Sequence, residues 1–316
     1  MVAKSLPSVS IIIPTYNRFN ELMRTIASIN NVDYPDKKIE VIIVCDSNDE
    51  FKIDMSRAFQ YKIIRNRRRN GAATARNIGI ANSNGEILVF IDDDVKVDPS
   101  WLRNLVNNYL LYKNVAGVAG AILSPRHVNR SNRSIRVGRI GLDGHTYFNF
   151  NSIQKVRVDW MRGCNMSVRR TVALKLGGFN SILDPISIAE DIEFSLRLNA
   201  ANYVLLFEPS AWLIHYESKG GGTRTSISEF AYFATRNVLY TYLRWCKYPK
   251  KLSASIRATL GILGLSIRRY AVGKKQKDET LRNLMFNLLK GVVSGLSLAI
   301  AKRENILFLT SELKIS

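Results

Sequence analysis

The chain has 316 residues and carries 46 Lys+Arg against 26 Asp+Glu, a formal net charge of +20. With 46% hydrophobic and 23% charged residues it has the composition of a globular protein with a buried core, which excludes an acidic or low-complexity disordered chain. The charge is uneven: residues 230–316 hold 16 Lys+Arg and 4 Asp+Glu, a tail suited to anionic lipid headgroups or nucleic-acid phosphates.

In chain order, Val9-Ser10-Ile11-Ile12-Ile13 is a β-branched run closed by Pro14 and reads as a buried strand. Phe19 to Ile29 places Leu22, Ile26 and Ile29 at helical spacing, and Glu40 to Val44 repeats the strand pattern before Cys45-Asp46. A third strand is predicted at Tyr61 to Ile64, a helix at Ala72 to Ala81, and a fourth strand at Glu86 to Ile91 that runs into Asp92-Asp93-Asp94. Such alternation predicts a largely parallel sheet with helices on both faces. Beyond it the pattern predicts a helix over Trp101 to Tyr112 and a strand over Val115 to Ala121. A strand, helix and turn follow within 157–180, then a helix from Ala189 to Asn199, a strand over Tyr203 to Phe207, and a further short apolar run ending at His215. The segment Ser124 to Gly141 holds Arg126, Arg130, Arg133, Arg136 and Arg139 without an acid, and reads as a loop or a basic helix face.

Ligands of open α/β sheets bind beyond the carboxyl ends of the strands, here Pro14-Thr15-Tyr16-Asn17, Asp46 and the Asp triplet. No GxGxxG follows the first strand and no GxxxxGK[ST] loop is present, which argues against the dinucleotide and P-loop classes. Adjacent carboxylates repel one another, and a divalent cation relieves that cost. Hard oxygen ligands suit Mg²⁺ or Mn²⁺ bridging the protein to substrate phosphates. The plainer reading of the triplet is a turn leading to a helix cap at Asp98.

Ser10-Ile11-Ile12-Ile13-Pro14-Thr15-Tyr16-Asn17-Arg18, Gly71-Ala72-Ala73-Thr74-Ala75-Arg76-Asn77-Ile78-Gly79 and the Asp triplet resemble, in order and spacing, the motifs of family-2 glycosyltransferases. Gly163-Cys164-Asn165-Met166-Ser167-Val168-Arg169-Arg170, Gly177-Gly178-Phe179 and Glu190-Asp191 resemble the same family's acceptor-side motifs, so the likeness runs over about residues 8 to 220. It implies a GT-A nucleotide-diphospho-sugar transferase fold, α/β with a mostly parallel sheet flanked by helices, and inverting transfer of a sugar to a hydroxyl acceptor. Pro14, Thr15 and Tyr16 would then border the nucleotide, Asp46 would accept a hydrogen bond from the base, and Arg76 would pair with the diphosphate. In the triplet, Asp94 would hold the metal and Asp92 would face the ribose or metal-bound waters, with Asp93 between them as a spacer on the nucleotide side. His215 resembles an additional metal ligand, and Asp191, at a helix start where the dipole favours negative charge, resembles the general base.

Other readings stay open residue by residue. Asp46 suits a turn, Arg76 a surface helix, His215 simple packing, and Asp191 an ordinary helix-start acid beside Glu190 and Glu193. Trp160 and Arg162 border either the sugar and acceptor or the core. Lys219 to Arg224 reads as a lid over the nucleotide or as a linker.

The expected organisation is a catalytic domain over 1–227 and a basic, amphipathic helical region over 228–316 that contacts an anionic membrane surface. Gly291 to Ala301 alone is about half the length of a spanning helix and is flanked by Lys290, Lys302 and Arg303, so no spanning helix is expected. Three dispersed cysteines without a CxxC pair, and an N-terminal apolar run interrupted by Pro14, predict a cytoplasmic protein, peripheral on the cytoplasmic face of the membrane. The expected partners are a nucleotide-diphosphate sugar and a lipid-linked glycan acceptor, with no nucleic acid. A nucleotidyltransferase would share the metal carboxylates but leaves the 163–170 and 190–191 motifs unexplained. A basic nucleic-acid-binding protein explains the charge but not the acids.

Overall fold

The computed structural model describes residues 5–47, 59–66, 70–125, 136–186, 188–217, 226–247, 250–272 and 281–301. Strands β1 (Val9–Thr15), β2 (Ile39–Cys45), β3 (Gln60–Arg65) and β4 (Ile87–Ile91) pair in parallel in the order β3-β2-β1-β4. Helix α1 (Phe19–Ile29) connects β1 to β2 and α2 (Ala72–Ala81) connects β3 to β4. Each of these elements lies within a residue or two of its sequence expectation.

β1, β2 and β4 are buried almost throughout, and alternate side chains feed two separate cores. Ile12, Ile42, Leu88 and Phe90 face α2 and the later helices, whereas Ile11, Ile43, Val89 and Ile91 pack with Leu22 and Ile26 of α1. Leu102 and Leu105 of α3 (Trp101–Leu111) complete the second core.

The rest of the sheet is mixed. After β5 (Val95–Val97) and β6 (Val115–Leu123) come the small hairpin β7 (Arg139–Ile140) and β8 (Thr146–Tyr147), then β9 (Val156–Arg157) and β10 (Asn165–Arg169). β10 inserts antiparallel between β4 and β6, with Asn165 opposite Ile91. Helices α4 (Arg170–Lys175) and α5 (Glu190–Ala200) follow, and then β11 (Val204–His215). Where two short runs were expected, β11 is one twelve-residue strand whose register against β6 shifts between Glu208 and Trp212. Pro209 lacks an N–H to give to a ladder, so the irregularity falls where the sequence suggested a break. The arginine segment is neither one loop nor a helix in its described part, since Arg139 lies in β7; Arg126, Arg130 and Arg133 fall outside the described residues.

Three long helices close the chain: α6 (Ile227–Trp245), α7 (Lys250–Val272) and α8 (Leu281–Ile300). α6 starts at a reciprocal cap in which the Ser226 hydroxyl accepts the Glu229 N–H and Glu229 reaches back to the Ser226 N–H. Val238, Tyr242, Cys246 and Ala254 sit in the same core as β4 and α2, so the extension is packed on the sheet layer. α8 lies against α6, and Cβ atoms at Gly291 and Gly295 would press on the Tyr232 and Arg236 carbonyls at 2.6 and 2.8 Å. This four-residue glycine spacing is what lets the two backbones approach. At 20 residues, α8 is long and apolar enough to cross a bilayer by length and composition, about twice the apolar stretch read from the sequence. The sequence reading stopped at Lys290, whereas the helix continues back through Lys290 and Arg282 to Leu281.

Candidate active site

Parallel pairing aligns the ends of β1, β2 and β4, so Pro14–Tyr16, Asp46 and the Asp triplet share one edge of the sheet. A cavity of about 670 Å³ opens there, and Pro14, Thr15, Tyr16, Asp46, Arg76, Asp92, Asp93, Asp94 and His215 all line it. His215 arrives from far downstream because β11 ends antiparallel to β5, setting His215 opposite Val95. Its Nε2 lies 3.0 Å from Asp94 Oδ1 and 3.7 Å from Asp92 Oδ2. One ligand atom from each of the three residues falls within 4.8 Å of the others.

This donor set of two carboxylates and one imidazole fits a divalent cation, with the cavity side open for further oxygen ligands. Burial works against a charge on His215, but Asp94 and Cys164 hold the imidazole protonated up to about 11. A cation entering the cluster takes that proton's place.

Asp93 is not part of this cluster. It accepts from the Thr15 hydroxyl at 2.7 Å and from Arg18 at 3.1 Å, which pins the turn after β1 at the cavity wall. Burial lifts its carboxyl to about 7, opposed by Thr15 and Arg18. Arg18 also reaches Asp94, at 3.3 Å, and lines the cavity.

Asp46 accepts from Asn66 Nδ2 at 2.9 Å and from the Gly71 N–H at 3.1 Å, tying the end of β2 to the turn before α2. Burial pushes its carboxyl above the usual range. Gly71 has a φ of +107°, and a Cβ there would strike the Asp184 carboxylate and come within 2.9 Å of the Pro185 carbonyl oxygen. Asp184 in turn accepts the Thr74 N–H at 2.9 Å and the Thr74 hydroxyl at 2.7 Å, capping α2 from 110 residues away.

Arg76 is neither a surface helix arginine nor a free cation. It is buried, donates to Glu190 at 2.8 Å and to Asp92 at 3.4 Å, and lies over the Phe179 ring. Burial works against its charge, yet Glu190 and Asp92 hold it protonated. Glu190 is also buried, and burial together with Asp191 pushes its carboxyl upward against the pull of Arg76.

Asp191 does not line the first cavity. It opens on a second, of about 640 Å³, together with Trp160, Ala189 and Tyr242. Its Oδ2 accepts the Gly163 N–H at 3.0 Å and its Oδ1 the Ile192 N–H at 2.7 Å, which fixes the carboxylate and leaves acceptor capacity on both oxygens. Because Asn165 pairs with Ile91, the 162–164 turn that holds Asp191 lies beside Asp92. Arg162 lines both cavities. Trp160 is a core residue, 1% exposed and edge-on to Phe148 and Phe150, and it also forms part of the second cavity's wall.

Arg18, Glu190, Glu217 and Arg269 also line the first cavity without having been expected there. Arg18 closes the first motif and Glu190 adjoins Asp191, so both stood next to a signal. Arg269 comes from α7 and carries no local signal at all. Lys219 to Arg224, read from the sequence as a lid or a linker, lies outside the described residues.

Among known proteins, the model of glycosyl transferase family 2 matches residues 10–173. The chain belongs to that family. It is 27% identical over 226 residues to "Probable glycosyltransferase YdaM" of Bacillus subtilis, covering 66% of this chain and 50% of that protein. It is 26% identical over 215 residues to glycosyltransferase AglE of Haloferax volcanii, covering 65% of this chain and 66% of that one. The chain thus spans about half the length of the first of these relatives. Its fold is similar to that of mannosyltransferase PcManGT from Pyrobaculum calidifontis, solved with GDP-Man and Mn²⁺, with TM-score 0.58 and 18% identity over 93% of this chain and 88% of that one. GalNAc-T7, solved with UDP, GalNAc and Mn²⁺, aligns with TM-score 0.59 and 18% identity over 87% of this chain and 58% of that one. The fold is GT-A, with a C-terminal helical extension.

Proposed function

We propose that this protein is an inverting hexosyltransferase that moves a sugar from a nucleoside-diphosphate donor to a hydroxyl of a lipid-linked glycan. One observation carries the reading: a cavity holding the Asp92–Asp94–His215 cluster adjoins a second cavity holding an oriented, acceptor-ready carboxylate, Asp191. The donor nucleotide lies along Pro14–Tyr16 with its base toward Asp46. Asp92, Asp94 and His215 would hold Mn²⁺ or Mg²⁺, which when bound would supply Lewis-acid stabilisation of a diphosphate leaving group. Imidazole in the set favours Mn²⁺ over Mg²⁺. The solved structures similar in fold carry Mn²⁺ and a nucleotide or nucleotide sugar, which supports this donor class.

The acceptor oxygen attacks the anomeric carbon from the face opposite the diphosphate. Its proton passes to Asp191, the new C–O bond forms, and the old bond's electron pair leaves with the diphosphate. A single displacement inverts the anomeric centre. Arg76 acts by holding Asp92 and Glu190 in place, since its guanidinium is already engaged by both.

In this reading residues 1–227 are the catalytic unit and 228–316 the membrane-facing one, placing the enzyme on the cytoplasmic face of a membrane. Leu252, Ile256, Leu260 and Ile267 of α7, and Met285, Phe286, Leu289 and Val293 of α8, are exposed, and basic groups flank them. Apolar surface of this kind beside cations suits an anionic bilayer. The test is a thermal-shift screen against UDP, GDP, dTDP and CDP with and without Mn²⁺ or Mg²⁺. A metal-dependent rise with one nucleotide supports the transferase, and no rise with any of them counts against it.

A further inference from the structure

We infer that the second cavity is a binding site for the lipid phosphate of the acceptor, with α7 as the wall that receives the lipid chain. The inference rests on the transferase reading above, in which Asp191 is the base. The cavity reaches from Asp191 to α7, where Arg257, Ala258, Gly261, Ile262 and Leu265 line it. These positions recur at helical spacing, so a single stripe of α7 faces the cavity. The stripe is apolar apart from Arg257.

Three features select an amphiphile carrying an anion rather than a free sugar. Besides α7, Phe148, Trp160, Ile188 and Val238 give the cavity an apolar wall suited to a hydrocarbon chain, while Thr146, Tyr242, Glu190 and Asp191 form a polar part that suits the acceptor's head group. The lining cations are Arg162, at the junction with the donor cavity, and Arg257, whose present partner Asp143 is itself more than half exposed at 3.3 Å. Both suit a phosphate. Leu265 lines the cavity and is 42% exposed, so the apolar lining reaches solvent there and gives the chain an apolar route outward. The same helix brings Arg269 to the donor cavity, so α7 borders both halves of the site.

Two glycines on α7 allow a controlled test. A Cβ at either Gly261 or Gly264 meets nothing within 4 Å, yet only Gly261 lines the cavity. Leucine at either position raises helix propensity, so both variants are expected to fold. Energy transfer from tryptophan, with Trp160 in the cavity wall, to dansylated farnesyl diphosphate reads occupancy directly in metal-free buffer. The expected result is a saturable signal that unlabelled farnesyl diphosphate displaces and inorganic diphosphate does not. Affinity should fall at least tenfold in Gly261→Leu and stay unchanged in Gly264→Leu.

Displacement by inorganic diphosphate, absence of a saturable signal, wild-type affinity in Gly261→Leu, or equal loss in both variants would each overturn the inference. The nucleotide-and-metal thermal shift, read on the same proteins, separates this from failure of the transferase reading. A shift retained without lipid binding removes the lipid site alone, whereas lipid binding without any shift removes the transferase and leaves an amphiphile site.

Discussion

Replacing Arg76 with methionine removes the cation that joins the two halves of the site while keeping most of the side-chain volume over Phe179. The Arg76 side chain is 4% exposed and its partner Glu190 8%, at 2.8 Å, whereas Asp92 is 34% exposed and can turn to water. Removing one member of a buried pair costs about 3–5 kcal/mol, because the other charge is left uncompensated. At roughly 2 °C per kcal/mol for a chain of this size, Tm should fall by about 6–10 °C. Glu190→Gln leaves Arg76 on Asp92 and should cost less, about 1–2 kcal/mol. The double variant should be more stable than the two single costs predict, by at least about 1.5 kcal/mol. The pH dependence has a definite sign. Burial lifts the folded-state pKa of Glu190, with Asp191 adding to it, and loss of Arg76 lifts it further. The folded protein then binds more protons than the unfolded one, so stability falls as pH rises above the unfolded value of about 4.3 toward the folded one. In the wild type Glu190 is already lifted to about 8, so the two proteins lose stability in parallel below that value, and Arg76→Met should be least damaging near pH 6 and most damaging near pH 9. Urea denaturation of all four proteins at both pH values reads these differences. Strictly additive costs with no pH dependence would refute the reasoning.

Asp191→Asn should lower transfer about 10²–10⁴-fold while preserving the nucleotide-and-metal thermal shift, and Asp94→Ala should abolish the metal dependence of that shift; wild-type turnover of radiolabelled donor by either variant contradicts its role. Glu40 accepts the Ser10 hydroxyl and the backbone N–H groups of Asn84 and Gly85, which outweigh its burial and hold its carboxyl below the usual range. Glu40→Gln should cost about 2 kcal/mol at pH 7. Because the folded pKa is depressed, this contribution disappears as pH falls below about 4.3, so urea midpoints of the two proteins that stay apart at pH 3 would contradict the assignment. Gly71→Ala should cost about 1–3 kcal/mol through its positive φ and the displaced Asp184 cap, and an unchanged Tm would show that the turn relaxes freely.

The donor side of the site was readable because local chemistry and topology agree there. Strand ends read from β-branched runs put Pro14–Tyr16, Asp46 and Asp92–Asp94 on one edge, and the fold joins them in one cavity. The roles inside the cluster were less readable, since they depend on side-chain direction. Asp93 was a spacer by position, and the structure makes it the partner of Thr15 and Arg18. Arg76 was a candidate diphosphate ligand by residue type, and what the sequence did not show is that it also pairs with Glu190 and Asp92 while lining the cavity. His215 could be suspected only from resemblance, because the β5–β11 register that delivers it pairs residues more than 110 positions apart. Arg269 offered no signal, since neither composition nor periodicity reveals which face of α7 meets the sheet edge.

This division has a physical origin in where each half of the site is built. The nucleotide half stands on strands β1, β2 and β4, whose parallel pairing is enforced by cores on both faces, so its carboxylates are positioned by backbone register and lie within the family match. Asp191, His215 and all of α7 lie beyond residue 173, where that match ends. The second cavity, proposed as the acceptor half, is lined by the start of α5, by residues before β10 and by α7 from the C-terminal extension, all outside the parallel strands. If the second cavity takes the acceptor as proposed, substitutions at Ala258, Gly261, Ile262 and Leu265 of α7 should alter acceptor binding while the carboxylates at the ends of β1, β2 and β4 stay where the sheet holds them.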